Sequence, residues 1–139
     1  MCKFLVTLYL LSFFGIAQAV EFSEGQIWSY KARAGEEKST LLINKIETVP
    51  KLGQIFHISI FGVQVKNSRV PSGIITEPLH MPVSKQTLDE SVVKLVGKSK
   101  IRYLEEYKEW RAAFDRGEGG VFTIPIQKIV DVVEKGTNQ

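Results

Sequence analysis

The chain has 139 residues, among them 18 basic and 15 acidic side chains, two histidines and one cysteine. Charges this evenly matched exclude an electrostatic footprint for nucleic acid. A lone thiol excludes a disulfide within the chain.

Lys3 is followed by an apolar run from Phe4 to Ile16, interrupted by Thr7, Tyr9, Ser12 and Gly15, and then by Ala17-Gln18-Ala19. The run is shorter than the about 20 apolar residues that a membrane-crossing helix needs. Small residues at 17 and 19 suit a signal peptidase. Residues 1–19 are therefore expected to be a cleavable signal peptide, leaving residues 20–139 as a single domain with no transmembrane segment. A retained anchor or a buried helix is the alternative. Cys2 precedes the apolar run, whereas a lipid-bearing cysteine would follow it. Cleavage removes the thiol, and with it any cysteine nucleophile or thiolate ligand. An exported domain without disulfides is expected in the bacterial periplasm or as a secreted protein. Lys94, Lys98, Lys100 and Arg102 form a local basic cluster, read either as a solvated linker between helices or as a contact for an anionic partner.

In chain order, residues 26–34 alternate, with Trp28, Tyr30 and Ala32 on one side, which predicts a half-buried strand. A turn at 34–37 leads to a second strand over 39–47. The longest strand is predicted over 54–66, where Phe56, Ile58 and Ile60 share one parity and Val63 and Val65 the other. A bulge at Gly62 would reconcile them and turn His57, Ser59 and Phe61 away from the main core. Pro71, Gly73, Pro78 and Pro82 make residues 67–82 a long loop in which any strand must lie at a sheet edge. Ser84 is placed to cap a helix with Leu88, Val92 and Leu95 on one face and Gly97 at its end. A second helix over 103–116 carries Tyr103, Tyr107, Trp110 and Phe114 on one stripe. A short strand follows at 119–123, and a last helix begins near Pro125 and buries Ile126, Ile129, Val130 and Val133. Strands first and helices later predict an α+β fold, an antiparallel sheet of three to five strands with about three helices packed on one face.

Chemistry is sparse. His57 and His80 are the two imidazoles, and neither sits at metal-ligand spacing. With Glu77 they would form a zinc site only if the long loop folded back over the strand carrying His57. Each also reads as an ordinary polar residue on a sheet face. No Gly-x-Ser-x-Gly elbow, phosphate-binding loop or dinucleotide glycine pattern is present. Ser59 shares a strand face with His57 but has no orienting acid nearby in sequence. Ser84 is better explained as a helix cap. Glu105, Glu106 and Glu109 read as solubilising charge. Arg111, at the margin of the aromatic stripe, is placed to stack on Tyr107 or to bind a carboxylate at a pocket rim, although a structural role for it is equally consistent.

His80-Met81-Pro82, the run from Tyr107 to Asp115 (YKEWRAAFD) and Gly119 to Thr123 (GGVFT) resemble a family of small exported bacterial proteins of uncharacterised function. The resemblance implies a periplasmic address and brings no activity. The expected function is a non-catalytic binding or inhibitor-type module that recognises a protein or a small molecule, with His57, His80, Arg111 and Tyr107 as candidate contacts and neither cofactor nor metal. The alternative is a small hydrolase or metal-dependent enzyme centred on His57 and His80. A third reading is a structural subunit of an envelope complex. The oligomeric state is not legible in the sequence.

Overall fold

A computed structural model describes residues 20–139 together with Gly15. The expected signal peptide, Gly15 apart, lies outside the described residues. Gln26–Tyr30 (β1), Thr40–Val49 (β2), Gly53–Phe61 (β3), Leu79–Ser84 (β6) and Val92–Lys98 (β7) form a five-stranded antiparallel sheet in the order β6-β3-β2-β1-β7. Val65–Lys66 (β4) and Ile74–Ile75 (β5) make a separate two-stranded ribbon. Helices span Lys85–Ser91 (α1), Leu104–Asp115 (α2) and Ile126–Thr137 (α3). The α+β class and the antiparallel sheet agree with the sequence pattern. Among the described residues, no helix is long and apolar enough to cross a membrane.

Strand parity builds the core. Trp28 and Tyr30 of β1, Leu41 and Ile43 of β2, Phe56, Ile58 and Ile60 of β3 and Met81 and Val83 of β6 bury one sheet face against Leu88 of α1 and Ile126, Ile129 and Val130 of α3. Each such side chain contributes about 1.5–3 kcal/mol on leaving water. Ser84 caps α1 as expected, its Oγ accepting from the Thr87 N–H at 3.2 Å. β6 carries Pro82 and lies at the sheet edge, where a missing N–H is tolerated. That edge is covered by Phe122, which exchanges backbone hydrogen bonds with Pro82 and Ser84.

Three expectations change. The helix begun at Ser84 ends at Ser91, and Val92 at φ −68°, ψ 146° turns the chain into β7, so Val92 and Leu95 belong to a strand paired with β1. The predicted 54–66 strand stops at Phe61. Gly62 at φ 78° redirects the backbone, and Val63 and Val65 then bury into the same core from outside β3. Finally, only α1 and α3 share the core face. Helix α2 crosses the opposite face, where its Tyr107 and Trp110 meet the ring of His57. That face is not plain solvent-facing polarity. Leu42 and Ile55 are buried there, and the aromatic stripe of α2 has a second apolar surface to cover.

Candidate functional site

Between the outer face of β2, β3 and β6 and the underside of α2 lies a cavity of about 90 Å³. At roughly 30 Å³ per water, it has room for about three waters or one small molecule. Its floor comes from three adjacent strands. Ser59 pairs with His80 across β3 and β6, and His57 pairs with Pro82, so the two imidazoles stand on one face at a diagonal of the ladder. Asn44 enters through an irregularity. Ile43 pairs with Ile58 and Lys45 with His57, which leaves Asn44 as the extra residue of a bulge in β2. The bulge turns its amide toward Ser59, and its Nδ2 donates to Ser59 Oγ at 2.7 Å. The roof is α2, through Tyr103, Glu106, Tyr107 and Trp110.

Two hydrogen-bond chains frame the cavity. In the first, His57 Nε2 lies 2.9 Å from Glu47 Oε1, and Glu47 Oε2 accepts from Tyr107 OH at 3.0 Å, with Arg111 Nη1 at 3.5 Å. A carboxylate can only accept, so His57 carries its proton on Nε2. Burial lowers the pKa of His57 below the ordinary value, and the bond to Glu47 opposes that shift without cancelling it. The pair is therefore a neutral imidazole donating to a carboxylate at neutral pH. Tyr107 is correspondingly pushed up, by burial first and by Glu47 second.

In the second chain, Ser59 Oγ lies 2.7 Å from His80 Nδ1, and His80 Nε2 is 3.6 Å from Glu106 Oε1. Ser59 Oγ accepts from Asn44 and shares a second hydrogen bond with His80 Nδ1, whose direction follows the His80 tautomer, while His80 Nε2 faces Glu106. His80 too is lowered by burial, with the charge of Glu106 opposing. The order serine, histidine, acid is that of a hydrolytic triad. Its serine is fully buried, however, at 0% exposure. No electrophile reaches Oγ while α2 is seated, so the chain acts here to fix His80 and Asn44.

Among the described residues, two buried polar atoms beside the cavity find no partner: Asn44 Oδ1 and Glu106 Oε2 accept no hydrogen bond. Leaving such an acceptor empty costs about 1–3 kcal/mol, and more for a charged group. Aromatic rings line the half-open space. Tyr103 lies 4.4 Å from His80 between ring centroids, and Tyr107 and Trp110 each lie 4.7 Å from His57. Trp110 is held from behind by its Nε1–H, which donates to the Gly120 carbonyl at 2.9 Å.

Three of the four residues singled out from sequence, His57, His80 and Tyr107, line the cavity, whereas Arg111 is not among its lining residues and pairs with Glu47 and Asp115. The orienting acids absent from the local sequence arrive from elsewhere, Glu47 from β2 and Glu106 from α2. Glu106 is thus not simply solubilising charge. Asn44 and Glu47 carry no local signal in the sequence, because nothing nearby announces a bulge or a partner on another element. A zinc site built from His57, His80 and Glu77 is not formed; among the described residues no cluster of three or more His, Cys, Asp or Glu side chains is placed to hold a metal ion. Glu77 is exposed beyond the start of β6. A larger cleft of about 410 Å³ is lined by Arg33, Glu36, Gln64, Lys66 and Glu134, and there Arg33 is already paired with Glu36 and Glu134. Comparison with known proteins gives no matching family model, no matching curated protein and no matching solved structure.

Proposed function

We propose that this chain is an exported, non-catalytic binding module that holds a small polar molecule between the outer face of its sheet and α2. The observation that carries the reading is the pair of unpartnered acceptors, Asn44 Oδ1 and Glu106 Oε2, buried beside a cavity with two neutral histidines. Two unsatisfied acceptors are an ordinary number for a domain of this size, but here both belong to residues lining one cavity, where a bound donor would offset their cost. Export rests on Lys3, the apolar run to Ile16 and Ala17-Gln18-Ala19. A periplasmic or secreted address, and kinship with small exported bacterial proteins, follow from the same segment and from the resemblance of the YKEWRAAFD and GGVFT runs.

Native mass spectrometry of the protein recovered from its own envelope fraction tests both parts. The expected spectrum begins at Val20 and shows an adduct of low mass that is lost on denaturation and is absent from a Glu106→Gln variant. A bare chain in both samples contradicts the binding reading, and an unprocessed mass contradicts export. The serine–histidine–acid order supports a second reading, hydrolysis after α2 lifts away from Ser59. Labelling of Ser59 by a serine-directed fluorophosphonate would favour it, and no labelling would leave binding as the role.

A further inference from the structure

Resting on the binding reading above, we infer that the cavity selects a primary ammonium group: a small protonated amine whose N–H bonds reach Asn44 Oδ1 and Glu106 Oε2. Three observations converge on that chemistry. First, both unsatisfied atoms are acceptors, so the occupant must donate. Asn44 is only 4% exposed and its Nδ2 is already committed to Ser59, which leaves Oδ1 as its unused polar atom. Second, among the described residues no lysine or arginine pairs with Glu106. Among the described residues its ion-pair neighbour is His80, at 3.6 Å, and that imidazole is neutral at neutral pH. Two cations on this face are engaged elsewhere, Arg111 with Glu47 and Asp115, and Lys45 over the Tyr107 ring at 4.9 Å from its centroid. The Glu106 side chain is 42% exposed while its Oε2 atom is enclosed, so the carboxylate keeps its charge through solvent on one side and offers an acceptor to the cavity on the other, where a cationic donor is favoured over a neutral one.

Third, the walls suit a cation. Tyr103, Tyr107 and Trp110 are among the lining residues, and aromatic rings attract an ammonium that meets their faces. A primary ammonium offers three N–H donors, which match the two acceptors with one to spare. A quaternary ammonium would satisfy the rings but leave both acceptors empty. The volume, about 90 Å³, admits a head group of a few non-hydrogen atoms and leaves a larger amine to extend past the rim.

Titration of the chain with methylammonium chloride, followed by the Trp110 indole and His80 ring resonances, tests this against three controls: sodium chloride for ionic strength, methanol as a neutral donor, and tetramethylammonium as a cation without donors. Methylammonium is expected to give saturable shifts at both residues, and Glu106→Gln, a change on a partly exposed helix residue, is expected to weaken binding by about tenfold or more. Methanol binding as well as methylammonium, unaffected by Glu106→Gln, would overturn the cationic class and leave the cavity a binding site. Tetramethylammonium binding equally well would overturn the requirement for N–H donors. If none of the probes moves Trp110 or His80 beyond sodium chloride, the ligand class and the binding reading fall together.

Discussion

His57 Nε2 donates to Glu47 across 2.9 Å, and this bond joins a buried strand histidine to the acceptor that also holds Tyr107 and Arg111 on the helix above. The bond forms with a neutral imidazole, since burial holds the pKa of His57 below the ordinary value, and the same is true of His80. For a group lowered in the folded state, the unfolded chain binds the proton first. Stability is therefore full above about pH 6.5, the unfolded histidine value, and declines as pH falls from there through the folded pKa values. Urea midpoints measured across that range should drop on acidification, and the drop should shrink in His80→Gln. A midpoint that rises on acidification would mean that the histidines are charged in the fold.

Asn44 and Ser59 should respond differently to truncation. Asn44→Ala removes a bond to Ser59 and an unsatisfied acceptor together, so the net cost is expected at about 1 kcal/mol or less. Ser59→Ala strands both the Asn44 amide and His80 Nδ1 in a buried place, with an expected cost of about 1–3 kcal/mol. Denaturant unfolding of the two variants reads the difference, and a reversed order would contradict the assigned hydrogen bonds.

Arg33 ties the β1–β2 turn to α3. Its Nε lies 2.7 Å from Glu36, and its Nη1 lies 3.2 Å from Asp131 and 3.3 Å from Glu134. Glu36 is itself buried and its pKa is lowered, chiefly by this arginine. Arg33→Met is expected to cost about 3 kcal/mol, because it leaves a buried carboxylate uncompensated. For a lowered carboxylate, the stabilisation is present above about pH 4.5 and is lost as pH falls through the folded value. The difference between wild type and Arg33→Met should therefore narrow in acid.

Gly119 is required by proximity. A Cβ there would stand 2.9 Å from Phe114 backbone atoms at the end of α2. Gly119→Ala should push the segment away from the helix, loosen the Trp110 bond to Gly120, and cost about 1–3 kcal/mol. Trp110 emission should shift to the red as the roof opens, whereas a variant with unchanged emission and stability would show that the roof tolerates the shift.

Sequence pattern carried much of this architecture. The alternation of Trp28 and Tyr30, the even parity of Phe56, Ile58 and Ile60, and the spacing of Ile126, Ile129 and Val130 each name the core face directly, because one periodicity fits. Residues 92–98 misled, since Val92 and Leu95 continue the helical spacing from Leu88. The β-branched Val92, Val93 and Val96 and the long-range pairing with β1 decide in favour of a strand. His57 was legible as facing away from the main core, yet what it faces was not. The Tyr107–Glu47 bond joins residues 60 positions apart, and the bulge at Asn44 depends on a register that local pattern does not encode.

What fills the space beneath α2 decides whether this chain is a binding module. An atomic-resolution crystal structure of the protein purified from its native source tests this most directly. The expected result is continuous non-protein density within hydrogen-bond distance of both Asn44 Oδ1 and Glu106 Oε2, with His57 and His80 in their present bonds. Separate waters on the two acceptors, or a cavity closed by collapse of Trp110 onto Pro82, would contradict it.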